Sequence, residues 1–174
     1  FMFYEVALIP MYLLIGVWGS GRKEYAAMKL TLMLMGGSAF LLIGILGIFY
    51  GAGGETMNLL EIAKLHIPHE MQRIFFPLIF LGFGVLGALF PFHTWSPDGH
   101  ASAPTAVSML HAGVLMKLGG YGCFRVAMYL MPEGAAMWGD VFLILTTISV
   151  VYGAFSAVVQ TDLKYINAYS SVSH

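Results

Sequence analysis

Met109-Leu110-His111-Ala112-Gly113-Val114-Leu115-Met116-Lys117-Leu118-Gly119-Gly120-Tyr121-Gly122 sets one amine in a stretch of apolar and small residues. The run that holds it covers 104–130, opened by Pro104 and closed by Pro132. A helix needs roughly 20 mostly apolar residues to cross the hydrocarbon core of a bilayer. Lys117 therefore falls mid-span, with about 13 residues on each side, too far for its ammonium to reach either interface easily. A charge at that depth costs about 2.5–3.5 kcal/mol on insertion scales and points to function.

The composition agrees with a membrane. Of 174 residues, 59% are hydrophobic and 10% charged, against about 45–50% and about 25% in soluble domains. So little polar surface requires lipid or other apolar protein around the chain. A net charge of −1 without a basic patch excludes nucleic acid as a partner. The single Cys123 excludes an internal disulfide and a cysteine-based metal site. Twelve Met and 21 Gly suit packed membrane helices, where small residues let backbones approach. There is no phosphate-binding loop, no zinc-spaced Cys/His cluster and no nucleophile elbow.

Working outward, five apolar runs predict an all-α, polytopic transmembrane bundle: 1–19, 26–51, 74–92, 104–130 and 138–160, with a sixth helix starting near 165. The third run is expected to break at Pro91 and Pro97. The polar connection 52–73 predicts a short interfacial helix, with Leu59, Leu60, Ala63 and Ile67 set against Glu55, Glu61 and Lys64. Arg22, Lys23 and Lys164 fall at one end of the bundle, Lys64 and Arg73 at the other; the first end is expected to be cytoplasmic. The chain opens at Phe1-Met2-Phe3-Tyr4-Glu5 inside an apolar run and stops at Ser170-Ser171-Val172-Ser173-His174 without a polar tail. These ends predict an internal piece of a longer polypeptide, without a signal peptide.

Glu5 is the second charge out of place, in Phe-Met-Phe-Tyr-Glu-Val-Ala-Leu-Ile-Pro. Desolvation disfavours the charged form of an ionisable side chain, which lets buried groups exchange protons near neutral pH. Glu5 and Lys117 are therefore candidate proton-relay residues, expected to face the protein interior. The bland reading is a buried ion pair that fixes helix register. His111 precedes Lys117 by six residues, about 9 Å of rise and about 120° of rotation on an α-helix. The two do not share one stripe, but both can face a common water-lined cavity, and His111 joins the candidates. A packing role is the alternative for a lone histidine. His93 and His100 flank the proline-rich connection and are expected at the membrane surface, fixing the loop. Gly113 and Gly120, four before and three after Lys117, predict a small-residue packing face that carries the lysine. Arg125 is expected to snorkel.

Three segments together resemble a known family. They are Phe92-His93-Thr94-Trp95-Ser96-Pro97-Asp98-Gly99-His100 with Ala103-Pro104-Thr105; Ala112-Gly113-Val114-Leu115-Met116-Lys117-Leu118-Gly119-Gly120; and Gln160-Thr161-Asp162-Leu163-Lys164 through His174. The chain is similar to the antiporter-like subunit M family (subunit 4 in mitochondria) of proton-pumping NADH:quinone oxidoreductase, respiratory complex I. The resemblance implies a fragment of an inverted-repeat fold of about fourteen helices. It implies that Glu5 is the family's helix glutamate and that Lys117 passes protons laterally. It also implies that NADH, FMN, iron–sulfur clusters and quinone belong to other subunits, with no cofactor or metal in this chain. The expected partners are other membrane subunits and the lipid of a bacterial cytoplasmic or organelle inner membrane.

In one respect the chain departs from the family. The position seven residues before His93, where the family carries a lysine on the broken helix, is Leu86, and Gly82-Phe83-Gly84-Val85-Leu86-Gly87-Ala88 holds no ionisable group. Lys29 and Lys117 are the candidate substitute partners for Glu5. Two other readings stay open: a subunit of a multisubunit cation/proton antiporter or membrane-bound hydrogenase, and a structural subunit that seals without pumping.

Overall fold

The computed structural model describes residues 1–65 and 67–174, and among them every regular element is helical. In chain order these are α1 (Met2–Trp18), α2 (Lys23–Gly51), α3 (Leu59–Lys64), α4 (His69–Leu86), α5 (Trp95–Ser102), α6 (Thr105–Leu110), α7 (Met116–Gly122), α8 (Pro132–Val159) and α9 (Leu163–Ser173). The segments His111–Leu115 and Cys123–Met128 are π-turns that continue α6 and α7 as one rod.

Local chemistry sets most of the ends. Gly21, at φ 65°, turns the chain between α1 and α2, and Gly53 and Gly54 do the same after α2. The side chains of Asn58 and Asp162 accept from the backbone N–H groups of Leu60 and Lys164, capping α3 and α9. Pro132 opens α8 at a position where no backbone donor is needed. The next orphan donor of α8, Gly134 N–H, is taken by the buried side chain of Gln72, which in turn donates to Ile67 C=O at 2.9 Å. At 29 and 28 residues, α2 and α8 are long and apolar enough to cross a bilayer. Their outward residues, Leu32, Ile43, Leu143 and Val158 among them, are large, apolar and exposed, as a lipid-facing surface requires.

The third run ends differently from the expectation. α4 runs from His69 to Leu86, not over 74–92, and stops four residues short of Pro91. Leu89 N–H donates to Gly84 C=O at 2.7 Å and Ala88 N–H to Val85 C=O at 3.2 Å, with Ala88 at φ 62°. This is a Schellman closure with alanine in the left-handed position usually held by glycine, and it terminates the helix before proline has any say. The fifth run starts at Pro132, ahead of the expected 138, because proline at the first helical position extends it.

Two apolar cores result. One joins α1, α2, the end of α4, α5 and the α6–α7 rod through Leu8, Ile15, Leu34, Leu86, Trp95 and Met116. The other joins α2, α3, α4 and α8 through Leu41, Ile62, Phe76, Ile79, Met131 and Phe142. α3 does lie in the 52–73 connection, but it buries Ile62, with Leu60 turned outward.

Candidate functional site

The break after α4 builds the site. Val85 C=O, which already accepts Ala88 N–H, also receives the indole N–H of Trp95 at 3.0 Å. That bond seats α5 inside the protein. Irregular backbone at membrane depth is tolerated where it is buried in protein, and this break satisfies that condition. His93 and His100 are consequently not at the surface: they are 5% and 3% exposed. The polar letters of residues 93–100 read as an exposed loop, but the closure at Ala88 turns these side chains into the protein.

The imidazole of His100 places Nε2 3.0 Å from Met116 Sδ. A thioether only accepts, so this contact puts the proton on Nε2 and leaves Nδ1 bare; Nδ1 has no hydrogen-bond partner. His111 packs against His100 at 4.7 Å between ring centroids and edge-on to Trp95 at 5.2 Å. It is 2% exposed, and neither of its ring nitrogens has a partner. His111 also opens the π-turn His111–Leu115. A π-turn holds an extra residue, so the 120° offset to Lys117 expected from α-helical geometry does not apply. Such turns are frequent at functional sites.

Lys117 is exposed on the surface of the described helices and is not enclosed by them. It lines a cavity of about 370 Å³ with Gly87, Ser149, Ser171, Ser173 and His174, between the end of α4, α7, α8 and α9. Ser171 also lines a second cavity of about 390 Å³ with His100, Ser108, Lys164 and Asn167. Lys117 is within electrostatic reach of His100. His111 contacts His100, and Ser171 lines both the cavity of Lys117 and that of His100; His100 and Ser171 both lie outside the sequence-based set.

Glu5 stands apart. Its Oε1 is buried without a hydrogen-bond partner, as is Thr31 Oγ1, and both residues line a groove of about 350 Å³ with Leu8, Ile9, Tyr12 and Met35. Leu86, 3% exposed, lines a different, apolar cavity of about 270 Å³ with Tyr4, Leu8, Leu34 and His111. Neither proposed substitute partner reaches Glu5. Lys29 is bound to Asp98, Nζ to Oδ2 at 2.9 Å. Lys117 faces the opposite cavity. Asp98 was legible in sequence as the sole acidic residue between Glu70 and Glu133, yet nothing local tied it to a lysine 69 residues earlier.

The packing glycines also differ from those expected. A Cβ on Gly119 would lie 2.5 Å from Gly87 N and 2.6 Å from Phe83 O, and one on Gly122 would strike the Phe83 ring, whereas Gly113 and Gly120 face open space. The close-packed face is the one against α4, and Lys117 sits off it. Among the described residues no three His, Cys, Asp or Glu side chains converge on a metal position.

An all-helical membrane bundle whose helix breaks after α4 is a transmembrane fold of the antiporter-like class. The chain belongs to the NADH:quinone oxidoreductase/Mrp antiporter transmembrane family, whose model matches residues 1–174. It is 43% identical over its whole length to NAD(P)H-quinone oxidoreductase chain 4 3 of Picosynechococcus sp., covering 32% of that protein. It is 39% identical to NADH-quinone oxidoreductase subunit M of Rickettsia prowazekii, covering 35% of it. The chain thus spans about a third of the length of the curated relatives it matches. Its fold matches a chain of respiratory complex I from Thermus thermophilus with bound NADH, with a TM-score of 0.91 and 32% identity over 99% of this chain and 37% of that one. An archaeal membrane-bound sulfane sulfur reductase matches with a TM-score of 0.89 and 30% identity, over 99% and 36%.

Proposed function

We propose that this chain is an internal part of a proton-translocating membrane subunit of NADH:quinone oxidoreductase, assembled with other membrane subunits in a complex whose redox chemistry belongs to other subunits. The observation that carries the reading is the His111–His100 pair. Two imidazoles lie ring against ring in an apolar core, three of their four nitrogens without a partner. Leaving a buried polar atom unsatisfied costs about 1–3 kcal/mol, which a packing role alone does not repay. A proton-transfer role needs such free nitrogens. From this pair the route continues through the cavity at Ser171 to Lys117, whose amine loads and releases the proton.

Sealing without pumping is the second reading, and Leu86 favours it, since α4 offers no cation to Glu5. Lys117→Ala and Lys117→Arg in the assembled complex separate the two. Arg stays charged at neutral pH and cannot hand on a proton. Both variants are expected to assemble, on a native gel, and to lose much of the proton uptake of vesicles energised with NADH. Normal uptake in both would leave sealing as the function.

A further inference from the structure

We infer that Met116 is a positioning residue that holds His100 in one tautomer, so that this imidazole binds and releases protons through Nδ1 alone; the inference rests on the relay reading above. Ser96 and His100 lie four residues apart on one face of α5. Both reach the same sulfur: His100 Nε2 lies 3.0 Å from Met116 Sδ, and Ser96 Oγ donates to it at 3.5 Å. All three residues are buried, which keeps bulk water from the sulfur. The π-turn that precedes Met116 places it there. Its backbone N–H bonds to His111 C=O and closes the wider turn. The two ends of that turn therefore both touch His100, His111 with its ring at 4.7 Å between centroids and Met116 with its sulfur.

A thioether accepts a weak hydrogen bond and donates none, and it is far too weak a base to take the proton itself. An imidazole that gained a proton on one nitrogen and lost it from the other would end in the opposite tautomer. The ring would then have to turn over before the next transfer. At His100 the sulfur prevents that outcome. A proton from the imidazolium of His111, packed against it, adds to the lone pair of Nδ1 and leaves His111 neutral. The sulfur keeps the Nε2 hydrogen in place. Nδ1 then gives its proton to water in the cavity that His100 lines with Ser108 and Ser171. One proton enters and one leaves at the same atom, and the starting tautomer returns without ring rotation.

The test uses the complete complex in vesicles, with proton uptake measured per quinone reduced by NADH. Met116→Leu keeps the volume and removes the acceptor. Met116→Gln puts an accepting amide oxygen on a chain of similar length. Met116→Leu is expected to assemble and to lose uptake toward the level of Lys117→Ala, and Met116→Gln to recover it. The tautomer is read separately from the infrared ring carbon–nitrogen stretch of His100, isolated by subtracting His100→Phe spectra in each background. It should change in Met116→Leu. If Met116→Gln fails to recover uptake or to assemble, this band decides: a changed tautomer in Met116→Leu supports the role, and an unchanged one overturns it. Failure of Met116→Leu to assemble makes Met116 a packing residue and also overturns it. Parent-level uptake in Met116→Leu beside a deficient Lys117→Ala removes this role and leaves the relay standing. Parent-level uptake in both removes both.

Discussion

The ring of His111 stands 4.7 Å from that of His100, centroid to centroid, tilted by 57°, across the gap between the α6–α7 rod and the half-helix α5. The two residues are eleven apart in sequence. They meet because α5 folds back into the core once Trp95 has bonded to Val85. Neither nitrogen of His111 is held by the protein, which separates its effect on stability from its effect on proton transfer.

His111→Phe should therefore leave the fold intact or stabilise it by about 1 kcal/mol, since replacing an unsatisfied buried polar group by an apolar ring removes a desolvation cost. Proton uptake should fall with it. Thermal unfolding of the assembled complex, read beside vesicle uptake, checks both. A lower midpoint with unchanged uptake would make His111 a packing residue.

The glycines near Lys117 should divide into two kinds. Gly119→Ala forces a methyl group against Gly87 and Phe83 backbone atoms and should destabilise by about 1–3 kcal/mol, the usual range for overpacking. Gly113→Ala and Gly120→Ala, which face open space, should be neutral or gain up to about 1 kcal/mol from helix propensity. The yield of assembled complex and its thermal midpoint distinguish these outcomes. An equal loss in all three would mean that the open face is covered in the assembly.

Leu86→Lys should not restore a partner for Glu5. Leu86 packs among Leu8, Leu34, Trp95 and Met116, and Leu8 lines both its cavity and the separate groove of Glu5. An unpaired ammonium buried there costs several kcal/mol, so the variant should assemble poorly, while the volume-conserving Leu86→Met should lose less than about 1.5 kcal/mol. A Leu86→Lys complex as stable as the parent, with raised proton uptake, would show that the two groups do communicate.

The sequence alone determined the class of this protein. Long apolar runs, scarce charge and a lysine about 13 residues from either end of its run follow from composition and spacing, which are local quantities. They sufficed for an all-α membrane bundle and for the sixth helix, and they single out Glu5 and Lys117 as charges in apolar runs. Only the tertiary structure decided where α4 ends. A Schellman closure at Ala88 is set by how Leu89 packs on Gly84, and an alanine at that position announces no turn. The same closure set His93 and His100 inside the protein. It also brought Asp98 to Lys29 across 69 residues. A period of 3.6 shows which face of a helix is apolar. Which charge that face meets depends on the packing of other helices, and no local pattern carries that information.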